Sequence, residues 1–196
     1  MSFERLKAAL AARPLGPDPT AAVLPEHLPV GGFRQSAVLV PLHEKDGEPH
    51  VLLTLRPSTM RRHAGQIAFP GGALDPGEES LEAALREAHE EVGLDRRAVT
   101  LLGRLSEIIV LTTPFRLTPW VASVPYPFPY AAAPGEVEEI LHVPLSTLLD
   151  ERAYGVRRVE AYGMELDTHT YRAGLHEIWG ATARILHELL NVWRSL

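Results

Sequence analysis

A chain of 196 residues with 45% hydrophobic and 22% charged residues is long enough to bury one sizeable core. Its net charge of −6 argues against general nucleic-acid binding, which depends on neutralising phosphates with Lys and Arg. Without a cysteine it has no disulfide, no Cys-ligated zinc and no thiol nucleophile, and its nine histidines are scattered without metal-ligand spacing. In chain order, residues 3–12 read as a short amphipathic helix, and the Pro-rich stretch 14–32 as a connector strapped over the core. Residues 36–42 and 49–56 are apolar, partly β-branched runs separated by Lys45-Asp46-Gly47, a hairpin signal. A short extended segment at 66–69 leads into a Gly71-Gly72 turn, and the Leu, Ala, Arg and Glu content of 78–92 favours a helix. Strands follow at 99–105, 107–111, 117–124 and 137–143, then a short helix at 145–149. Residues 154–162 and 168–171 read as a further hairpin. A closing helix over 178–193 carries Ile185, Leu189 and Val192 on its apolar face, with Trp179 and Trp193 in the core. Mixed strands with an early and a late helix suggest an α/β or α+β sandwich rather than a regular βαβ series.

No N-terminal segment has the apolar core of a signal peptide, and no run approaches the ~20 residues of a membrane span. The expectation is a cytoplasmic protein with no membrane partner. The sequence leaves the oligomeric state open.

The 78–92 helix carries the chemistry. At about 100° per residue, Leu81, Leu85, Ala88 and Val92 fall on one side, which should face the core. Glu87, Glu90 and Glu91 cluster on another side, where like charges at i, i+3 and i+4 repel by a few tenths of a kcal/mol per pair. A bound divalent cation gives that clustering a reason, because Mg2+ takes carboxylate oxygens together with substrate phosphates. The alternative is a solvated acidic face. The flanks favour the cation: Pro70-Gly71-Gly72 allows close backbone approach, Asp75-Pro76-Gly77 is turn chemistry, and Gly93 suits a helix C-cap. Arg86 reads either as a bidentate partner for a carboxylate such as Glu78 or as a phosphate ligand.

Gly72, Glu78, Arg86, Glu87, Glu90, Glu91 and Gly93 stand at the spacing G-x5-E-x7-R-E-U-x-E-E-x-G-U, with the apolar U positions filled by Ala88 and Leu94. If each fixed type occurs at about one position in fifteen, a window matches all seven by chance roughly once in 10^8. This stretch resembles the signature of the Nudix hydrolases. That resemblance implies a mixed sheet flanked by helices, with the Glu-rich helix facing a cleft. It places the family domain over residues 33–196, behind an N-terminal helix and connector over 1–32.

Upstream, Leu52-Leu53-Thr54-Leu55-Arg56, Arg61, Gly65 and Phe69-Pro70-Gly71-Gly72 are similar to the motif of the coenzyme A diphosphatase branch of that family. Pro57 departs from it, standing where serine or alanine is usual and removing a backbone N–H. The resemblance implies substrate binding by Arg56, Arg61, Gly65, Phe69, Gly71 and Gly72. Arg56 and Arg61 supply guanidiniums for a substrate rich in phosphate, while Arg62 and His63 are left free by the motif. Solvated arginines, or arginines paired with nearby acids, are the plainer reading of that loop.

The expected reaction is metal-assisted hydrolysis of a diphosphate. Glu87 and Glu91 hold Mg2+ or Mn2+, and Glu90 shares a second ion or a metal-bound water. For coenzyme A the products are 3′,5′-ADP and 4′-phosphopantetheine. The resemblance leaves the proton acceptor either to a glutamate of the helix, such as Glu90, or to a loop glutamate. Glu136 ranks first among the latter and Glu138 next, with an exposed acidic turn as the alternative. Tyr126, Phe128 and Tyr130 read as a packed surface loop more readily than as a platform for adenine. Two rival functions stay open: a Nudix hydrolase of ADP-ribose, NADH or a dinucleoside polyphosphate, and a ligand sensor of the same fold without catalysis. The complete set of glutamates argues against the sensor.

Overall fold

Strands β1 (Arg34–Lys45) and β2 (Glu48–Leu55) form the hairpin that Lys45-Asp46-Gly47 predicts. Asp46 and Gly47 take φ of 54° and 78°, as in a two-residue turn whose twist matches its strands. The structure is a computed structural model that describes residues 3–16, 32–59, 64–110, 115–161 and 163–196. Most of the Pro-rich connector therefore lies outside the described residues.

Side chains alternate across a strand, and β1 shows what that does here. Ala37 and Leu39 join one apolar cluster, whereas Val38, Val40 and Leu42 join a second. In β2, Leu52 belongs to the first, and Val51 and Leu53 to the second. Strands buried on both faces need continuous apolar runs, which is why 36–42 shows no polar alternation. The remaining strands of this sheet are β3 (Ile67–Ala68), β4 (Gly71–Ala73), β5 (Thr100–Arg104), β6 (Ile108–Ile109), β7 (Phe115–Ser123) and β8 (Glu139–Pro144). Its order is β3-β2-β1-β7-β5, with β4 on β1, β6 on β7 and β8 on β2. Only β1 and β7 run parallel, so the sheet is mixed. A smaller antiparallel sheet joins β9 (Tyr154–Ala161), β10 (Met164–Ala173) and β11 (His176–Trp179).

Among the described residues, four α-helices cover the two faces: α1 (Phe3–Ala12), α2 (Ser80–Val92), α3 (Leu145–Leu149) and α4 (Gly180–Arg194). Leu6 and Leu10 of α1, Leu145 and Leu148 of α3, and Ile185, Leu186, Leu189 and Trp193 of α4 are buried in the same cluster as Val38. Ala83, Ala84, Ala88 and Val92 of α2 pack on the opposite face with Ala37 and Leu39. The result is the expected α+β sandwich, a mixed sheet between helices.

Four sequence expectations are corrected. Helix α2 starts at Ser80 rather than residue 78, because Glu78 closes a tight turn: its N–H donates to the Asp75 carbonyl (3.0 Å) and its carboxylate accepts the Asp75 N–H (2.9 Å). The buried side of α2 is turned toward Glu91, with Ala83, Ala84, Ala88 and Val92 inside and Leu81 and Leu85 only half-buried. Small alanines let the helix approach the sheet closely, and that closeness decides which side is inside. Gly71–Ala73 is a strand rather than a turn, registered against Ser36–Val38. Finally, residues 178–179 end strand β11 instead of opening the last helix. Gly174 (φ 61°) turns β10 back into β11, and Gly180 (φ 65°) breaks the strand before α4. Trp193 is in the core as expected, but Trp179 is half-buried at the edge of a cavity.

Candidate active site

The glycine strand brings sheet and acidic helix together. A Cβ on Gly71 would run into the Ala37 carbonyl and the Val38 backbone, and one on Gly72 would fall on the Glu87 carboxylate. Gly72→Ala is therefore expected to push Glu87 aside. Overpacking of this kind costs about 1–3 kcal/mol, so a thermal melt should show a modest loss while turnover falls far more steeply. Wild-type turnover in that variant would mean that the position of Glu87 is unimportant.

Arg86 organises the acids. Its Nε and Nη2 donate to the two carboxylate oxygens of Glu78 (2.9 and 3.0 Å), Nη1 donates to Glu87 (2.9 Å) and Glu90 (3.3 Å), and Nη2 also reaches the Ala73 carbonyl (3.2 Å). This is the first of the two roles read from the sequence. The guanidinium holds Glu78 below the usual carboxylate range, and the acids around Arg86 raise its own pKa. Gly93 caps the helix in the left-handed conformation (φ 70°) with its N–H on the last turn, as its place in the motif predicts.

Glu91 is the unusual member. It is 4% exposed, and its carboxylate accepts the Gly71 N–H at 3.3 Å. Burial pushes its pKa up to about 7; Glu87 and Glu136 add to the rise, while Arg56 and the Gly71 N–H oppose it. Glu87 is likewise raised, first by burial. Glu90 lies at the rim, with its side chain 54% exposed.

Two loops complete the cleft. The segment before β8 is hooked onto the end of α2, with the Ala131 N–H on the Val92 carbonyl (3.0 Å) and the Ala133 N–H on the Glu91 carbonyl (2.9 Å). That anchorage puts the exposed Glu136 where its charge acts on both Glu87 and Glu91. Glu138 is engaged elsewhere: its N–H donates to the Leu55 carbonyl (2.8 Å) and its carboxylate accepts the Ser58 N–H (3.3 Å). Ser58 thus anchors the loop just after Pro57, which has no N–H to offer. The base of that loop is closed by the Arg56 N–H on Gln66 (3.0 Å) and the Gly65 N–H on Arg56 (3.1 Å), with Gly65 at φ 66° in open space. Gly65 shapes the turn. Arg61, with Arg62 and His63, lies outside the described residues.

Arg56, Phe69, Gly71 and Gly72 all line one cavity of about 300 Å³, whose far wall includes Phe115 and Trp179. The structure thus brings these four predicted residues together at the edge of the glutamate cluster. Phe69 is 3% exposed and also part of the core. Trp179 was missed from the sequence as a cavity residue, although Gly174 and Gly180 on either side are signals for a hairpin and a break. Tyr126, Phe128 and Tyr130 form a packed surface loop: Tyr126 stacks on His43 (4.8 Å), and Tyr130 packs against Phe128 (4.9 Å) and His142 (5.6 Å). A larger cavity of about 780 Å³ beside Arg13, His169 and His187 holds none of the predicted site residues.

A mixed sheet whose glycine strand, acidic helix and arginine-bearing loop meet in one cleft defines a hydrolase site for phosphorylated substrates. The profile of the NUDIX domain matches residues 33–159, and the chain belongs to the Nudix family of hydrolases acting on pyrophosphate bonds. It is 41% identical over 157 residues to a protein of Photorhabdus laumondii called uncharacterized Nudix hydrolase NudL, covering 80% of this chain and 83% of that one. It is likewise 41% identical over 162 residues to the protein of that name from an Enterobacter species, covering 80% and 81%. The crystal structure of a MutT/nudix family protein from Enterococcus faecalis matches with a TM-score of 0.61 at 14% identity, over 100% of this chain and 75% of that one, and shows the shared fold. Among the described residues, no helix is long and apolar enough to cross a membrane.

Proposed function

We propose that the protein hydrolyses the diphosphate bond of coenzyme A or a derivative, giving 3′,5′-ADP and 4′-phosphopantetheine. The observation that carries this reading is Arg56. It belongs to the upstream motif, its charge acts on Glu91 of the helix motif, and its buried Nε has no hydrogen-bond partner among the described residues. A buried guanidinium N–H without an acceptor is costly. A phosphate oxygen at the mouth of the cavity would satisfy it. Arg61 is assigned to the same task by motif alone.

The residues fit a divalent cation. Glu91 is a buried carboxylate whose charged form is disfavoured, and Arg86, the cation bonded to the helix acids, is already shared among Glu78, Glu87 and Glu90. Among the described residues, no three acidic, imidazole or thiol side chains close into a metal cage of their own. Mg2+ is commonly held by one or two carboxylates, with substrate phosphates completing its coordination. Glu87 and Glu91 would hold the ion, with Glu90 at the rim for a second ion or its water. Such a cation, when bound, neutralises phosphate oxygens and makes a bound water more acidic.

The chain's own groups do the rest. Arg56 orients a phosphate, the glycine strand lets the substrate approach the helix, and Glu136 stands by the acids to take the proton. Glu138 is a poorer candidate, because its carboxylate is held by Ser58. Glu136→Gln is expected to lower kcat by about 10²–10⁴-fold with little change in KM, the range of general-base removal. Glu138→Gln should leave kcat near wild type. Steady-state kinetics on the two variants decides; wild-type kcat in both would move the proton acceptor to the helix.

The proposal itself is tested by incubating the protein with coenzyme A, ADP-ribose and NADH in parallel, with and without Mg2+ or Mn2+, and identifying products by mass. Metal-dependent release of 3′,5′-ADP from coenzyme A is expected. Turnover of ADP-ribose or NADH instead would keep the hydrolase and discard its substrate.

A further inference from the structure

We infer that the cavity walled by Trp179 receives the pantetheine arm of the substrate, leaving the nucleoside arm outside, and that Trp179 and Ala181 set this preference. The inference rests on the coenzyme A reading above. Arg56, Gly71 and Gly72 belong to its lining, and Gly71 bonds the Glu91 carboxylate while Gly72 abuts Glu87, so the cavity adjoins the helix acids where the diphosphate is proposed to bind. Its volume of about 300 Å³ stands at the lower end of ligand pockets, about 300–1,000 Å³. It therefore accommodates one arm of a large diphosphate ester and not both.

The lining chooses between the arms. Arg56, at the mouth, is the one charged residue in the lining among the described residues. The other walls are mostly apolar, among them Val38, Ile67, Phe69, Leu117 and Ile185, with uncharged polar groups on Ser36, Gln66 and Thr182, whose hydroxyl is already donated to the Ile67 carbonyl at 3.0 Å. Placing the 3′-phosphate of the nucleoside arm there would bury a charge without a partner, at a large cost. The pantetheine arm is uncharged, with a branched dimethyl carbon and two amides, and suits apolar walls with a few polar groups.

The far wall comes from outside the matched family domain. Residues 33–159 end before β10, whereas Trp179, Ala181 and Ile185 belong to the β11–α4 junction. Trp179 is fixed from behind: β11 pairs it with Thr170, and the Arg157 guanidinium lies over its ring at 4.9 Å. Gly180, in the left-handed conformation, turns the chain so that strand and helix N-terminus meet at the cavity. This C-terminal hairpin and helix thus add a wall from beyond the residues that the family profile matches.

The test is binding of the two products separately, by calorimetry, to wild type, Ala181→Trp and Trp179→Ala. Ala181 is half-buried at the start of α4, where it lines the cavity and also packs against the apolar core, so a tryptophan there takes up cavity volume. Filling the cavity is expected to weaken 4′-phosphopantetheine by about tenfold or more while leaving 3′,5′-ADP within about twofold, and the retained ligand shows that the variant is folded. Loss of 3′,5′-ADP with 4′-phosphopantetheine retained would overturn the inference, as would no change in either. Should Ala181→Trp lose both, Trp179→Ala decides: selective weakening of 4′-phosphopantetheine upholds the assignment, and any other pattern overturns it. A wild type that neither hydrolyses coenzyme A nor binds either product removes the coenzyme A reading itself, a failure visible before any variant is made.

Discussion

Replacing Glu91 with glutamine is expected to cut turnover sharply and, in the metal-free protein at pH 8, to raise stability. The carboxylate is 4% exposed, and its pKa stands at about 7 instead of 4.5. A folded-state pKa raised above the unfolded value contributes stability that is complete below the unfolded pKa and is lost as pH rises through the folded one. Metal-free wild type should therefore lose stability between about pH 4.5 and 7, by roughly 3 kcal/mol for a shift of this size. Glutamine keeps an oxygen for the Gly71 N–H and carries no charge to bury. The variant should lack that pH-dependent loss, with a net gain of about 1–2 kcal/mol at pH 8 once the lost attraction to Arg56 is allowed for. Turnover should fall by about 10²–10³-fold, because a carboxylate assigned to the cation is gone. Chemical denaturation in chelator at pH 5 and pH 8 measures the first effect, and steady-state kinetics the second. A destabilised Glu91→Gln protein at pH 8 would mean that Arg56 already neutralises Glu91 without a cation.

Arg86→Lys gives the second large effect, and its sign is the opposite. The guanidinium serves Glu78 through two nitrogens, Glu87 and Glu90 through a third, and the Ala73 carbonyl besides. An ammonium keeps the charge but not the planar fork, so it can satisfy only part of this set. With side-chain exposures of 29% for Arg86 and 15% for Glu78, solvent replaces some of the lost bonds. A loss of about 1–2 kcal/mol is expected, less than breaking a fully buried pair. Turnover should drop by about 10²-fold, since Glu87 and Glu90 lose their orientation while the substrate site stays intact, so KM should move far less than kcat. A rise in KM with kcat unchanged would instead make Arg86 a direct substrate ligand.

What was legible in the sequence follows the reach of each signal. Local chemistry gave the Asp46-Gly47 hairpin, helices at 3–12 and 145–149, and the C-cap at Gly93, because a few adjacent residues dictate those conformations. The clustering of Glu87, Glu90 and Glu91 was legible from helical periodicity alone. Strand β4 was not, since two of its three residues are glycines with no side-chain pattern, and pairing with β1 makes it extended. The buried side of α2 was misread because leucines were weighted over alanines. The sheet selects by distance, and Ala83, Ala84 and Ala88 allow the approach that puts Glu91 inside. Trp179 was hidden for a similar reason: its role depends on where β11 meets β3 in space, which no local spacing expresses.

The same contrast explains why Glu91 matters more than its place in an i, i+3, i+4 cluster suggests. Three glutamates on a helix read alike, yet the glycine strand buries one, tethers another through Arg86 and leaves Glu90 at the rim. The Gly71 N–H holds the buried Glu91 carboxylate, and the missing side chain of Gly72 leaves the room that the Glu87 carboxylate occupies.

As proposed above, the helix glutamates and the Arg56 loop form two halves of one coenzyme A diphosphatase site. The ratio of kcat/KM for coenzyme A to that for ADP-ribose, measured with Mg2+ on wild type and on Arg56→Gln, tests it most directly. Wild type should favour coenzyme A by about 10²-fold or more, and Arg56→Gln should lose most of its activity toward coenzyme A. A ratio near or below one, or full coenzyme A turnover without Arg56, would contradict it.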